Sequence, residues 1–427
     1  MVKQGYKQTE IGVLPELWDT ITFEDCFSVL PNNTLSRAEL NYNGGEVRNI
    51  HYGDILVKYP AVLDCSVEGL PYINKENVAK ASKGFLRDGD LIMADTAEDV
   101  IVGKSTEVIG VGDSKVVSGL HTIPCRPKDA EMFASKWLGY FINHCTYHDQ
   151  LVPYITGIKV SSVSKSAISG TVIAVPPKPE QEAVAEALSD IDTLITNLEK
   201  LIAKKKAIKQ GAMQELLTGK RRLPGFDGEW ITISLKNASC DVLNGDRSDR
   251  YPSGDDFKDF GVPFINAGHL KNNKVTFENM DYIAPEHFDL LSGVKLQQGD
   301  LLFCLRGSLG KFAVVDFDTG APASSLCAIR CRGNLLSSYL FHLLASDIFK
   351  RLISNANTGS SQPNLSAEGV EKFEVTIPEN KDEQLAIANV LSDLSAEIES
   401  LEEKLIKYLR MKQGMMSELL TGRIRLI

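Results

Sequence analysis

Between Leu391 and Leu419 the apolar side chains keep a 3-4 spacing: Leu391, Leu394, Ile398, Leu401, Leu405, Tyr408, Met415 and Leu419, with Lys412 in step. The same spacing runs through Leu188, Ile191, Ile195, Leu198, Ile202, Ala212 and Leu216, with Lys205 and Lys209 in step. A stripe of this period is the a/d seam of helices that pack along their length, and a lysine within it forms a polar layer that such packing tolerates. Pro177 and Pro179 stand at the entry to the first stripe, and Gly219 and Gly422 stand where C-terminal caps belong. Each stripe predicts a helix of about 38 residues, roughly 57 Å long at 1.5 Å per residue. Core packing of ordinary globular helices also produces apolar stripes. The length and the sustained period favour two helices packed on each other, and the intervening chain must return, so an antiparallel pair with a pseudo-twofold axis is expected.

The two stripes belong to a longer internal repeat. Residues 180–223 align with 383–426 without a gap and agree at about half the positions, from EQEAVAEALSD against EQLAIANVLSD to MQELLTGKRRL against MSELLTGRIRL. Looser similarity extends upstream, through TGIKVSSVSKSAISG and TGSSQPNLSAEGVEK to GFLRDGDLIMADTAEDVIVGK and GVKLQQGDLLFCLRGSLGK. The starts also correspond, LPELWDTITFEDC with LPGFDGEWITISLKNAS. A repeat of this length defines the architecture before any local signal does. In both copies Asp88-Gly89 and Gln298-Gly299 are turns leading into apolar strands, so the variable regions read as α+β domains rich in short strands. The expected organisation is a variable domain over 1–165, a shared segment over 166–222 with a helix at about 179–218, a second variable domain over 223–370, and a second shared segment over 371–427 with a helix at about 383–421.

Composition narrows the function classes. A chain of 427 residues with 43% hydrophobic and 24% charged content is that of a globular protein of two or three domains, and no apolar run reaches the roughly 18 residues of a membrane span. No secretory signal follows the first lysines, so a cytoplasmic location is expected. The eight cysteines are scattered, and the close pair Cys327 and Cys331 lacks a second pair, so reduced thiols are expected rather than zinc. The GKS at 103–105 lacks the upstream glycine of a phosphate loop, since position 98 is Glu98. Neither HExxH nor GxSxG occurs. The net charge of −10, with both variable regions acidic, counts against a nucleic-acid partner.

What remains is a set of polar loops. Arg306-Gly307-Ser308-Leu309-Gly310-Lys311 carries two cations on small residues, which lets long donors and backbone amides approach phosphates or guanine edges. The segment from Thr358 to Asn364 adds hydroxyls and two amides, of which Gln362 and Asn364 suit adenine. The corresponding places in the first copy are Lys104, Ser105 and the segment from Thr156 with Lys159. Read alone, such loops are more often merely solvated.

The duplicated helix with its ELLTG ending, the GD-led strands and the TG-x-S segments together resemble the specificity subunit of a Type I restriction-modification system, over essentially the whole chain. The resemblance implies two target recognition domains, each reading one half of a split double-stranded DNA site, joined by two long antiparallel coiled-coil helices that set the spacing. It implies Lys104, Ser105, Thr156, Lys159, Arg306, Ser308, Lys311, Gln362 and Asn364 as DNA-binding residues. It also implies two methyltransferase (modification) subunits and restriction/translocase subunits as partners, with S-adenosylmethionine and ATP on those partners and no cofactor, metal or catalysis in this chain. The competing expectation is a coiled-coil scaffold whose variable domains bind protein or carbohydrate, which the acidic charge fits better.

Overall fold

The computed structural model describes residues 4–81, 83–99, 101–157, 160–356 and 364–426. The chain divides into two units, Met1–Glu199 with Glu403–Ile427, and Lys200–Glu402. Each unit therefore holds one variable region and a half of each long helix. The helices run over Lys178–Leu216 and Lys381–Leu419, 39 residues each. Both end at a left-handed glycine, Gly219 at φ 68° and Gly422 at φ 65°, the conformation in which a Cβ is most disfavoured. The seam residues Leu188, Ile191, Ile195, Leu198, Ile202 and Leu216 are buried, as are Leu391, Ile398 and Leu419.

Within each unit the two helix halves run in opposite directions, as the ion pairs between them show. In the first, Arg425 pairs with Glu180 and Lys412 with Asp192. In the second, Arg222 pairs with Glu383 and Lys205 with Glu397. Glu180 and Glu383 hold the same place in the repeat, as do Arg425 and Arg222. The glutamine that follows each glutamate is equally constrained. Gln181 accepts from the Ala134 amide and donates to the Pro176 carbonyl, while Gln384 accepts from the Leu336 amide and donates to the Pro378 carbonyl. All four side chains are fully buried, so a hydrogen bond lost at any of them would leave an unpaired group without water. The repeated EQ and its distant arginine are thus the two ends of a closure, made once per unit.

The variable region of the first unit packs two sheets. A five-stranded sheet has the order Phe27–Val29, Thr122–Pro127, Leu91–Ala94, Ser105–Ile109, Val62–Asp64. A four-stranded sheet has the order Lys115–Ser118, Val47–Ile50, Tyr72–Ile73, Leu40–Asn41. The second unit repeats this plan with six strands, Cys240–Asn244, Leu326–Cys331, Leu301–Cys304, Phe312–Val314, Lys274–Val275 and Leu270–Lys271, beside a four-stranded sheet that contains Val262–Ile265 and Ala321–Pro322. In both units the central strand, Leu91–Ala94 or Leu301–Cys304, is buried at every position, which is why it reads as a continuous apolar run rather than an alternating one.

One expectation is overturned here. Cys240 and Cys331 are joined by a disulfide, whereas the sequence reading expects only reduced thiols. Sheet register is the cause: the two residues face each other across antiparallel strands with Cα atoms 3.9 Å apart. Cys327, the near neighbour of Cys331 in sequence, is a buried free thiol, as the sequence reading expects.

Candidate nucleic-acid interface

In the second unit the central strand ends at Cys304 and returns through a five-residue turn. The Cys304 amide donates to the Lys311 carbonyl at 2.8 Å, and the Gly310 amide donates back to Cys304 at 3.1 Å. Gly307 and Gly310, at φ 73° and 82°, make so tight a return possible. The turn leaves Arg306, Ser308 and Lys311 exposed. Asn364 is brought against it from far along the chain, forming an isolated antiparallel bridge with Arg306, and the Leu365 amide donates to the Leu305 carbonyl at 2.9 Å. The Arg306 Nε donates to Asn364 Oδ1 at 3.2 Å, so the fork is held at its base while its terminal nitrogens have no partner among the described residues. Of the residues expected to bind DNA, then, Arg306, Ser308, Lys311 and Asn364 share one turn and its neighbour. Gln362 lies outside the described residues.

Beside this turn is a polar concavity. A hollow of about 440 Å³ lined by Asn273, Lys311 and Lys350 shares Ala345 and Lys350 with a second of about 580 Å³, lined by Gln210, Gln214, Lys220 and Arg351. Asp347, paired with Lys350 at 3.0 Å, is the acid among these cations. An acidic unit thus carries a locally basic surface next to the exposed Arg306.

The first unit builds the same frame with different side chains. The Ala94 amide donates to the Lys104 carbonyl and the Gly103 amide to Ala94, both at 2.9 Å, so Ala94 stands where Cys304 does and Lys104 where Lys311 does. The Val163 amide donates to the Asp95 backbone carbonyl as the Leu365 amide does to that of Leu305. The intervening turn is longer, and the residues that it closes on face inward. Lys104 Nζ donates to the Leu56 carbonyl at 2.8 Å, and burial lowers its pKa. Ser105 has no exposed surface, and its hydroxyl donates to the Gly103 carbonyl at 2.9 Å. The side chains of both expected site residues are therefore engaged within the fold, because the returning strand, Ser105–Ile109, is buried from its first residue. Thr156 is exposed and bridges Ser162, which pairs in turn with Thr96. Lys159 lies outside the described residues.

At the start of the turn, beside the loop that leads into Thr122–Pro127, stand Asp95 and Thr96, which sequence reasoning did not single out, and His121, whose type alone suggests a structural or surface role. The Thr96 hydroxyl donates to Asp95 Oδ1 at 2.8 Å, and His121 Nδ1 lies 3.5 Å from the same oxygen. The His121 ring meets Tyr52 edge-on at 5.2 Å, and its backbone is left-handed at φ 54°. The signal was present in MADTAEDVIVGK, but the first turn is longer than the second, and only the hydrogen-bond frame shows where the extra residues sit.

A family model for the Type I restriction modification DNA specificity domain matches the chain twice, at residues 15–210 and 229–410. The chain belongs to that family. Each specificity domain covers a variable region and most of the long helix that follows it. The chain is 22% identical to the putative Type I restriction enzyme MjaX specificity subunit of Methanocaldococcus jannaschii over 99% of its own length and 97% of that protein. It is 25% identical to the MjaVIII specificity subunit of the same organism over 63% of its length, an alignment spanning 66% of the relative. The fold is similar to that of the S subunit of a Type I restriction-modification system from M. genitalium, with a TM-score of 0.60 at 14% identity, covering 94% of this chain and 96% of the other.

Proposed function

We propose that this specificity-family chain selects a bipartite double-stranded DNA site, reading one half with each recognition region and holding the halves apart with its two long helices as an antiparallel coiled-coil spacer. The observation that carries this reading is the repeated frame itself: one strand–turn arrangement, present in both units, closed by the same buried contacts and presenting different polar side chains at its tip. Two readers of one build and different chemistry suit a site of two unlike halves, as twofold dimers suit two like ones. Arg306, Ser308, Lys311 and Asn364 are the proposed contacts of the second unit, with Thr156 retained in the first.

The same reading assigns the chain no chemistry of its own. Methyl transfer from S-adenosylmethionine and ATP-driven translocation and cleavage belong to methyltransferase and restriction/translocase partners in the cytoplasm. The long helices have surface to offer such partners: Leu194, Leu201 and Ile208 recur at heptad spacing along the first, each more than a third exposed, and Ile406 and Leu409 are similarly exposed on the second. Among the described residues, no helix is long and apolar enough to cross a membrane. The net acidity is compatible with DNA binding when partner subunits neutralise most of the phosphates, so the isolated chain should bind weakly and with steep salt dependence.

Co-expression with the methyltransferase partner, followed by mapping of methylated adenines across a plasmid, tests the proposal. A split motif with a constant gap is expected; a stable complex that yields no motif would favour a scaffold that binds protein or carbohydrate. Deleting one turn, about four residues or 6 Å, from both helices in register should shorten the permitted gap by one or two base pairs of about 3.4 Å. An unchanged gap in an assembled variant would remove the spacer role.

A further inference from the structure

The hydrogen-bond frame places the two turns in strict correspondence. The Asp95 amide donates to the His121 carbonyl as the Leu305 amide does to Ser325, and the Val163 amide donates to Asp95 as the Leu365 amide does to Leu305. Asp95 therefore takes the place of Leu305, Thr96 that of Arg306, and His121 that of Ser325. At adjacent positions of the same frame the first unit presents a carboxylate, on Asp95, and the second a guanidinium, on Arg306 at the place of Thr96.

These groups have opposite hydrogen-bonding capacity. An ionised carboxylate only accepts and a guanidinium only donates. In the first unit the Thr96 hydroxyl and His121 both approach Oδ1 of Asp95, leaving Oδ2 without a partner among the described residues. In the second, Asn364 occupies Nε of Arg306 and leaves the terminal nitrogens available. Each side chain is thus anchored by one atom and open at another, which orients it without consuming it. In the major groove the partner that suits a carboxylate is the N4 amine of cytosine, and the partner that suits an arginine fork is O6 and N7 of guanine.

We propose that Asp95, oriented by Thr96 and His121, is a specificity-determining residue of the first unit that accepts a hydrogen bond from a cytosine amine, and that Arg306, one position further along the same frame and oriented by Asn364, plays the corresponding role in the second unit and donates to guanine. The inference rests on the reading of the chain as a DNA-selecting subunit, and it adds which side chain in each unit reads a base and what kind of base it reads.

The test is to map adenine methylation by the complex with the methyltransferase partner for the unaltered chain and for Asp95→Asn and Arg306→Gln. Asp95→Asn is expected to relax one C·G position in one half-site, and Arg306→Gln one G·C position in the other, each with at least a tenfold loss of preference and no change in gap length. Thr96→Ala, which removes only the hydroxyl that orients Asp95, should relax the same position as Asp95→Asn by a smaller factor, and it guards against a folding defect in the stronger variant. Both variants relaxing the same half-site, relaxation at an A·T pair, or an unchanged motif would overturn the inference. Absence of any split motif for the unaltered chain would instead overturn the DNA-selecting reading on which it rests.

Discussion

At equivalent places the two units answer the same structural question differently. Glu180 receives both Arg425 and the Trp18 indole, whereas Glu383 receives Arg222 while the Trp230 indole nitrogen has no hydrogen-bond partner among the described residues. Lys412 of the first unit is paired with Asp192, which also accepts from Tyr140; in the repeat Lys209 takes the place of Lys412 and Ser395 that of Asp192, and burial lowers the pKa of Lys209. Glu107 is buried on the strand where the second unit has Val314, and a disulfide crosses the second sheet where the first has Phe27 opposite Pro127. Such differences around a common closure teach which contacts make the fold. The EQ pair and its arginine recur in both units and close each one; the surrounding side chains have been free to diverge.

Removing the closing carboxylates should test that conclusion most severely. Glu383→Ala is expected to destabilise the second unit by about 3 kcal/mol, the order measured when one partner of a buried pair is removed. Glu180→Ala should cost the first unit about 1 kcal/mol more, since the Trp18 indole also loses its acceptor. Denaturant unfolding would read both, and equal losses would mean that the Trp18 bond contributes nothing.

Next in size is the disulfide. Cys331→Ser should cost the second unit about 3 kcal/mol under oxidising conditions and nothing measurable in reductant, with the first unit unaffected in both. Hydrogen exchange resolved by unit distinguishes these cases, and a loss shared by both units would show that they unfold as one.

The pH responses should run in opposite directions, each amounting to about 2–3 kcal/mol at its limit. Burial raises the pKa of Glu107 to about 7, against the lowering effect of the Gly139 and Lys136 amides that it accepts from. The unfolded chain then releases this proton at lower pH than the folded one, so the contribution is fully present below the ordinary carboxylate range and is lost as pH rises towards 7. Burial, aided by the Lys209 charge, lowers the pKa of His342 to about 4. Its contribution is present above the ordinary histidine range and is lost as pH falls towards 4. Urea unfolding from pH 4.5 to 7.5 should show Glu107→Gln flattening the response of the first unit and His342→Asn that of the second; a common response in both units would remove the contrast.

The smallest effect should come from restoring a symmetry. Ser395→Asp puts a carboxylate at the repeat position of Asp192, the partner of Lys412, and should stabilise the second unit by roughly 0.5 kcal/mol through an ion pair with Lys209. A thermal melt at low and high salt would show the gain and its screening; a gain insensitive to salt would point to packing instead.

The two long helices, the duplication and the α+β character of the regions between could be read from the residues. Period, caps and repeat are local or directly comparable properties, and Leu188 or Leu391 carries its burial in its spacing. Arg306 and Lys311 could be read too, as cations among glycines. The turn of the first unit could not, because Lys104 and Ser105 have the composition of a surface and the hydrogen bonds of a core.

What the sequence determined by itself is therefore the plan: which segments are helices, that the plan is written twice, and that EQ and arginine recur in both copies. Only the tertiary structure decided which arginine meets which glutamate, that Cys240 rather than Cys327 faces Cys331, and that Asp95 and Thr96 stand where Leu305 and Arg306 do. The physical reason is distance along the chain. A helical stripe is fixed by neighbours within a turn or two, while a sheet register, an ion pair and the tip of a turn of unequal length are fixed by partners that the chain brings together only when it folds.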